Sequence, residues 1–517
     1  MKNKHLTYIC CLLAVVLGLL SACRKDLGNY QYHDINEGQI SNINDSYSAF
    51  RGTALAISPT LKFTMDDGAD TTKYTYAWYI IDQSVLPITK KTVAKSKNLN
   101  WSVNIASSTT AYTLLYEVTE VSTGAIFRKS SSLTVGTEIA DGWLILNDIG
   151  GKGRLDFLNY LSASSTFKPY TDILTTFSTL TLTGAPKMVY YYYRRDPFSA
   201  LTYKAIAVGT DQSTSVINTQ DGTFTKFANI STMMSSYSPP PYYAQSIAAQ
   251  ASSNLAYLFD SNGALYYENA TQRYAWGTRV NKTSAGVEFK ISPYYAEAYK
   301  NSTTYALMFD TDNKRFMEHK STNNSSSVPV PVSGNKVFSD NGIDAGNLKM
   351  DLLYMASTPA AGGRTYALFK NSASEVFLTI IQCDYSSFNP QTFEKITTAP
   401  DMINATQFAI DPTSGYIMYL VGSKIYRYNR ADQTNAMVLD MGTKKVSLMK
   451  YQKLTYQTGT ARYIEYASKL IVCTYDDASP NTSGQMNLYT VPGLNAALSL
   501  YQSYTGYGKI VSVSYRE

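Results

Sequence analysis

The sequence predicts an all-β protein in which a β-sandwich precedes a β-propeller. Tyrosine is unusually frequent, with 44 of the 517 residues. From residue 40 to the end, apolar and polar residues alternate in short runs that Asn, Asp, Gly and Ser separate, a pattern typical of strands joined by hairpins. No amphipathic helix longer than three turns is evident after the leader. We therefore expect nearly all of the mature chain to be β-structure.

Residues 1–22 have the pattern of a secretory leader. Lys2 and Lys4 give a short positive region, and an apolar stretch broken only by Gly18 follows at residues 9–20. About twelve apolar residues are too few to span a bilayer, which takes roughly 20. The pattern is therefore typical of a signal peptide and not of a transmembrane helix.

The leader ends in Leu20-Ser21-Ala22-Cys23, which resembles the lipobox of bacterial lipoproteins. The resemblance implies cleavage before Cys23, acylation of its thiol and a lipidated tether over residues 23–34. Arg24 at the next position implies the outer membrane, and Lys25-Asp26 resembles the short signal for export to the cell surface. The alternative is an ordinary signal peptide with a chance cysteine.

Charge and cysteine content exclude several classes of protein. The net charge of +6 falls to +4 when the two lysines of the leader are removed. This charge is small and scattered, so no nucleic-acid partner is expected. Besides Cys23 and the two cysteines of the leader, only Cys383 and Cys473 remain, both in strand-like runs. We expect two buried free thiols and not a disulfide.

Histidine is too scarce for the common catalytic and metal sites. The three histidines are His5 in the leader, His33 near the tether and His319 in a stretch that resembles a turn. They form no zinc-binding pair, and no GxSxG motif accompanies them. The acidic segments 310–313 and 66–70 resemble fragments of calcium loops but lack the glycine and distal glutamate, so hairpin turns are expected there. No metal and no cofactor is predicted.

Residues 35–138 predict an Ig-like sandwich. Residues 74–80 alternate around Trp78, which is expected in the core. Residues 111–135 predict two strands joined by a Ser-Thr-Gly turn at 122–124. A strand with a central tryptophan, together with a hairpin that closes the domain, is typical of an Ig-like domain.

Four segments resemble the PKD-like surface lipoproteins of Bacteroidota. They are LGNYQYHDINE (27–37), the Tyr-x-Trp centre of the tryptophan strand, VTEVSTG (118–124) and DGWLILND (141–148). The resemblance implies a neighbour of a Sus-type (SusC/SusD-like) importer, which is a TonB-dependent barrel with its lipoprotein lid. It further implies a non-enzymatic accessory protein that binds or presents oligopeptides or oligosaccharides.

Residues 139–517 predict a propeller because one pattern repeats. A hydrophobic strand, a turn and a tyrosine-rich strand recur seven times, in units of about 54 residues, near the roughly 50 of known blades. The units contain residues 141–159, 203–222, 255–269, 304–319, 365–380, 415–429 and 462–477. Six or eight blades remain alternatives. The last strand, residues 508–515, is expected to close the ring against the first unit.

A Pro-Tyr-Tyr motif recurs in two neighbouring units, each time ahead of a strand that ends in Phe-Asp. If the two motifs are equivalent, their tyrosines lie together on one rim of the channel, where rigid rings suit a ligand or a partner protein. The alternative is that they pack between blades. The candidate binding residues are Tyr242, Tyr243, Tyr294 and Tyr295.

Other residues carry alternative functions. In the run 188–197, alternate tyrosines face opposite sides of a strand, so at least one pair is expected in the core. The strand-end carboxylates Asp260 and Asp310 would serve a propeller glycosidase or lyase, although no recognisable acid pair is present. A third possibility is a purely structural protein-docking lipoprotein.

Overall fold

The computed structural model describes Leu13 and residues 36–517, with gaps. The leader, the tether, Cys23 and His33 lie outside the described residues. The gaps within residues 36–517 are at residues 69, 84–85, 106–109, 137–138, 162–163, 196–201, 220–223, 236–237, 250–254, 270–275, 278, 298–304, 321–325, 331–335, 385–386 and 454–459. The described chain forms two compact units. The first comprises the described residues up to 47, 54–102 and 110–133, and the second those of 48–53, 103–109 and 134–517.

The N-terminal strands form a sandwich. A five-stranded sheet has the order β2-β9-β8-β5-β6, and β1 pairs with β4 and β3 with β7. The strands are β1 (Gly38–Ser41), β2 (Ser46–Phe50), β3 (Ala54–Ile57), β4 (Thr60–Phe63), β5 (Tyr74–Asp82), β6 (Thr89–Ala94), β7 (Leu99–Ser102), β8 (Tyr112–Glu120) and β9 (Ile126–Gly136).

The predicted sandwich core and hairpin are confirmed. Trp78 is fully buried. Its ring stacks on Tyr116 at 4.3 Å between centroids, and its Nε1–H donates to the Ser96 carbonyl at 3.1 Å. Phe63 of β4 stacks on Tyr74 of β5 at 4.4 Å and so joins two of the sheets. Gly124, in the turn between β8 and β9, has a φ of +75°, which glycine adopts without strain.

Seven antiparallel sheets follow in the described residues, and we number them as blades 1 to 7. Blade 1 contains β10 (Gly142–Ile149), β11 (Lys152–Leu161) and β12 (Thr166–Tyr170), and blade 2 contains β13 (Pro186–Arg195), β14 (Thr202–Thr210), β15 (Thr214–Asn218) and β16 (Lys226–Asn229). Blade 3 contains β17 (Ala244–Ala249), β18 (Leu255–Asp260) and β19 (Leu265–Asn269), and blade 4 contains β20 (Ala296–Glu297), β21 (Tyr305–Asp310), β22 (Arg315–Lys320) and β23 (Val328–Pro329).

The last three blades have four strands each. They are β24 (Asp351–Thr358), β25 (Arg364–Lys370), β26 (Val376–Asp384) and β27 (Ser387–Ile396) in blade 5, β28 (Gln407–Ile410), β29 (Ile417–Val421), β30 (Lys424–Asn429) and β31 (Thr434–Asp440) in blade 6, and β32 (Lys445–Lys450), β33 (Leu470–Tyr475), β34 (Gly484–Thr490) and β35 (Ser499–Tyr507) in blade 7. The short helices are α1 (Ile173–Phe177), α2 (Lys336–Ser339) and α3 (Ala461–Ala467), with 3₁₀ turns at Ile230–Met233, Ala360–Gly362 and Pro400–Asn404.

The C-terminal strand β36 (Lys509–Arg516) closes the ring, as the sequence predicts. It pairs with β10 of blade 1, with Val513 opposite Ile145 and Tyr515 opposite Trp143. Buried apolar clusters join each blade to the next, and the last joins blade 7 back to blade 1. The described residues therefore form a closed seven-bladed propeller.

The hydrophobic runs recognised in the sequence are strands buried on both faces. In β10, Leu144 packs between blades 1 and 2, whereas its neighbour Ile145 packs between blades 7 and 1. In the tyrosine run, Tyr191 packs toward blade 1 and Tyr192 toward blade 3, so both faces are core. Strands covered on both faces are continuously apolar because neither face meets water.

Two further expectations are resolved in blade 7. Cys473 is a buried free thiol, as predicted, whereas the Cys383 side chain lies outside the described side chains.

Residues 462–477 do not form two strands, because residues 461–467 form α3. Alanine and arginine favour the helix, and Tyr463 and Tyr466, three residues apart, both pack against the ring of Tyr515. The expectation of two strands was therefore wrong.

Candidate functional site

The four tyrosines predicted to share a rim do not form one exposed patch. Tyr242 is 2% exposed and packs between blades 2 and 3, and Tyr295 is 8% exposed and packs between blades 3 and 4. Tyr243 is half-buried, and Tyr294 is 37% exposed. The expectation that all four lie side by side on one surface is therefore wrong, and a binding role remains a prediction for the two accessible rings.

The reason is that the two Pro-Tyr-Tyr motifs are not structurally equivalent. In blade 3, Asp260 lies opposite Ala244, directly after the motif. In blade 4, the corresponding Asp310 lies opposite Ile291, ahead of the motif, and Ala296 lies opposite Leu307. Five steps from Ile291 to Ala296 therefore oppose three steps on β21. The two extra residues form an irregularity that carries the tyrosines of blade 4 further along the inner strand.

The first strand of each blade lies at the centre of the ring. The hydroxyl oxygens of Ser512 and Ser514 on β36 accept from the backbone N–H groups of Val189 and Tyr191 on β13, at 3.1 and 3.0 Å. Across blades 6 and 7, the Gln407 side-chain oxygen accepts from the Met449 N–H at 2.7 Å. The first strands of neighbouring blades therefore lie side by side around the centre of the ring.

Three aromatic side chains of these inner segments form a row across blades 4, 5 and 6, which we call the inner aromatic row. Tyr294 meets Tyr354 at 5.1 Å between ring centroids and 63° between planes. Tyr354 in turn stacks on Phe408 at 5.5 Å and 26°. Tyr354 and Phe408 were not candidates from the sequence, because nothing in it marks which strand residues meet across blades. Tyr294 alone is substantially exposed, so it is the accessible end of the row.

The environment of the row keeps both tyrosine hydroxyls neutral. Burial raises the pKa of Tyr354, and the negative charges of Tyr294, when that hydroxyl is ionised, and of Glu297 raise it further. Burial also raises the pKa of Tyr294 although 37% of that residue is exposed. Both hydroxyls can therefore donate and accept hydrogen bonds near neutral pH.

An ion pair spans the centre of the propeller. The Lys453 ammonium, three residues after β32 in blade 7, pairs with the Glu297 carboxylate at the end of β20 in blade 4. It also donates to the Ser357 hydroxyl of blade 5 at 3.1 Å. Blades 4 and 7 lie on opposite sides of a seven-membered ring, so these side chains meet across the channel. Lys453 is 41% exposed and Glu297 only 7%, measured on their side chains.

The segment that carries Lys453 is held to the closing strand. Lys450 donates from its ammonium to the Val513 carbonyl at 3.0 Å, and burial lowers the pKa of Lys450 to about 8. The side-chain oxygen of Gln452 accepts from the Tyr515 N–H at 3.3 Å. These bonds fix the backbone on which Lys453 extends into the channel.

The strand-end carboxylates Asp260 and Asp310 are bound within their own hairpins. Both are fully buried. Asp260 accepts from the N–H groups of Asn262 and Ala264 at 2.9 and 2.8 Å, and burial raises its pKa. Asp310 accepts from the Asn313 amide at 2.8 Å. These side chains stabilise turns, and neither carboxylate is presented to solvent.

Metal ligands and membrane helices are not found in the described part of the chain. Among these residues no three His, Cys, Asp or Glu side chains come together as a metal site would require. The described residues also contain no helix that is long and apolar enough to cross a membrane. His319 lies on β22 and not in a turn, and it is fully buried.

Comparison with known proteins supports part of the predicted resemblance. Residues 23–186 match the model of the PKD-like family. This segment includes the strands of the sandwich and those of blade 1 up to the first residue of β13. No curated protein matches the chain. The family match therefore covers about a third of the chain, and the rest of the propeller lies outside it.

Solved structures with similar folds share little sequence with this chain. A quinoprotein alcohol dehydrogenase-like protein from Bacteroides thetaiotaomicron is 12% identical, with 92% of this chain and 97% of that chain covered and a TM-score of 0.43. A Lactobacillus plantarum protein is 12% identical over 73% of this chain and 100% of that chain, with a TM-score of 0.39. The extracellular domain of a B. thetaiotaomicron one-component system is 10% identical over 92% and 70%, with a TM-score of 0.35.

Proposed function

We propose that the protein is a lipid-anchored outer-membrane protein on the cell surface and a non-enzymatic accessory component of a Sus-type (SusC/SusD-like), TonB-dependent nutrient importer. In this role it binds or presents oligopeptides or oligosaccharides. Cys23 carries the lipid, and along the sequence the sandwich lies between the tether and the propeller. The PKD-like match over residues 23–186 supports this assignment at the level of the family.

The inner aromatic row is the observation that carries the binding role. Tyr294 offers an accessible ring, which contacts Tyr354, and Tyr354 in turn stacks on Phe408. A held ring loses little conformational freedom when a ligand binds, which favours affinity. The face of such a ring suits the apolar face of a sugar or an apolar peptide side chain. Glu297 and Lys453 add an acceptor and a donor across the same channel.

A ligand-binding experiment tests the row. The wild-type protein is titrated calorimetrically with panels of oligosaccharides and oligopeptides, and each ligand found is titrated against Tyr294→Ala and Tyr294→Phe. We expect Tyr294→Ala to weaken binding at least about tenfold, or 1.4 kcal/mol. Tyr294→Phe is the matched control, because it keeps the ring and loses only the hydroxyl. Equal affinity of Tyr294→Ala and wild type would exclude this ring as the site.

A separate experiment tests the partner and the anchor. The protein is purified by affinity from detergent-solubilised outer membranes, and co-purifying proteins are identified by mass spectrometry. We expect a TonB-dependent barrel and its lipoprotein lid in the eluate, and recovery of the protein alone would contradict the accessory role.

Cys23→Ala should lose fractionation with the outer membrane. Protease added to intact cells should digest the mature chain, whereas full protection until lysis would place it on the periplasmic side.

A further inference from the structure

The outer strand of blade 7 exposes an unprotected sheet edge. β35 lies at the end of the strand order β32-β33-β34-β35. It has nine residues, SLYQSYTGY, without a charged residue and without proline. An edge strand presents unpaired N–H and C=O groups, and proteins usually protect such edges by lysine, proline or a short strand. β35 has none of these three protections.

The other outer strands of the propeller are protected. β12 contains Lys168 and Pro169, and β27 contains Pro390 and Lys395. β16 and β23 have only four and two residues, and β31 ends in Asp440. In blade 3 the N–H groups of Gly277 and Val280 bond to the Tyr267 and Leu265 carbonyls of the outer strand β19 and so cover its edge. Among the described outer strands of the propeller, the long, neutral edge is therefore particular to blade 7 and not a general property of these repeats.

The centre of β35 is regular and uncovered. Four consecutive pairs, from Gln485 opposite Thr505 to Leu488 opposite Gln502, separate the two irregularities in its pairing with β34. Among the described residues, no backbone hydrogen bond reaches β35 from any strand other than β34. Leu500 is 57% exposed on this strand. The outer backbone groups of this stretch are therefore available to another strand.

The loop that leads into β35 presents a second exposed leucine. Leu494 is 98% exposed, and both Leu494 and Asn495 have left-handed backbones, with φ of +55° and +58°. Non-glycine residues rarely adopt this conformation in succession. The Asn495 side chain holds it by donating to Asp432 at 2.6 Å and accepting from Asn429 at 3.1 Å, both in blade 6. The fold thus fixes Leu494 in solvent near the start of the neutral edge.

We propose that β35 pairs antiparallel with β35 of a second copy of this chain, which joins two four-stranded blades into one continuous sheet. Pairing of the regular central stretches centres the two-fold axis on Ser503, with Gln502 opposite Tyr504. Every such pair is neutral, so the strand meets no like charge in its own copy. This inference does not depend on the proposed function.

The test is the oligomeric state of the purified full-length protein in detergent, measured by analytical ultracentrifugation over a wide range of concentration. We expect a monomer–dimer equilibrium for wild type. Ser503→Lys places two lysines opposite each other and should abolish the dimer. Ser503→Ala is the matched control, because it also removes the 2.7 Å hydrogen bond from the Gln485 amide to the Ser503 hydroxyl. Since it keeps the edge neutral, this variant should still form the dimer. Met437→Lys should also retain it, because it puts the same charge at a 51% exposed position on β31.

A mixing experiment specifies the register. Ser503→Lys and Ser503→Glu should each be monomeric alone and should form a mixed dimer together, because opposite charges then meet at the axis. Thermal unfolding of each variant near the wild-type temperature shows that the fold is intact. A wild type that is monomeric at every concentration would overturn the inference. A dimer that survives Ser503→Lys, or that Met437→Lys also abolishes, would overturn it equally.

Discussion

His319 should make the propeller less stable in mild acid. It is fully buried on β22 of blade 4, and its Nδ1 lies 2.8 Å from the Tyr257 hydroxyl of blade 3. The Tyr267 ring lies 5.3 Å from the imidazole between centroids. Burial lowers the pKa of His319 from its ordinary value of 6.5 to about 4. The folded protein therefore keeps this imidazole neutral at a pH where the unfolded chain protonates it.

The size of the effect follows from proton linkage. Because the unfolded chain binds a proton that the folded chain does not, the free energy of unfolding falls as the pH drops below about 6.5. The loss continues until the pH approaches 4, where the folded form also titrates. A pKa lowered by about 2.5, at about 1.36 kcal/mol for each pH unit, gives a total near 3 kcal/mol. About 2 kcal/mol of this should be lost by about pH 5.

The assay compares wild type with His319→Gln, which can still hydrogen-bond to Tyr257 but does not titrate. Urea unfolding is followed by tryptophan fluorescence at several pH values between about 7 and 5. Wild type should lose about 2 kcal/mol more than the variant over this range. Buried carboxyl groups with raised pKa, such as Glu268, change stability in the opposite direction but are common to both proteins. Parallel pH curves for the two proteins would refute the reasoning.

Three other predictions follow from burial. Tyr295→Ala should lower the free energy of unfolding by about 3–5 kcal/mol, because it opens a cavity between blades 3 and 4. Tyr294→Ala should change the free energy of unfolding by less than about 1 kcal/mol. Urea unfolding of both variants measures this difference. Truncation after Gly508 removes β36 and should abolish cooperative unfolding in calorimetry, whereas a retained sharp transition would contradict its closing role. Burial raises the pKa of the Cys473 thiol, so mass spectrometry should find this residue unalkylated in native protein and alkylated in urea; labelling in the native state would contradict this burial.

The sequence predicts the repeat structure well because blade packing imposes it locally. The second strand of each blade is covered on both faces, so it must be apolar almost throughout, as in β10 and β29. The closing role of β36 was predictable for a related reason. A ring needs a last strand beside the first unit, and the final apolar run had no other partner. The strand content and the number of blades therefore follow from local patterns, although the seventh unit predicted a strand where residues 461–467 form α3.

The site was much less predictable because it depends on contacts between distant residues. Lys453 and Glu297 are 156 positions apart. Lys453 stands in no motif, and Glu297, two residues after the Pro-Tyr-Tyr motif of blade 4, resembles an ordinary polar residue at the end of a strand. Tyr354 and Phe408 likewise have the alternation expected of any strand. Their meeting depends on the register of β24 and β28 around the ring, and no local pattern specifies that register.

The recurring Pro-Tyr-Tyr motif illustrates how a repeat can mislead. In both blades the N–H after the strand-end aspartate bonds to an inner-strand carbonyl, that of Tyr243 in blade 3 and that of Lys290 in blade 4, at 2.9 and 3.0 Å. Lys290, and not a tyrosine, is therefore the counterpart of Tyr243. The extra residues of blade 4 shift its motif further along the inner strand. As a result Tyr295 packs in the core between blades 3 and 4, and the ring of Tyr294 contacts that of Tyr354. Irregular strands often redirect a side chain next to a functional site. The difference between the two blades, and not their similarity, is what makes Tyr294 the strongest candidate for contact with a ligand.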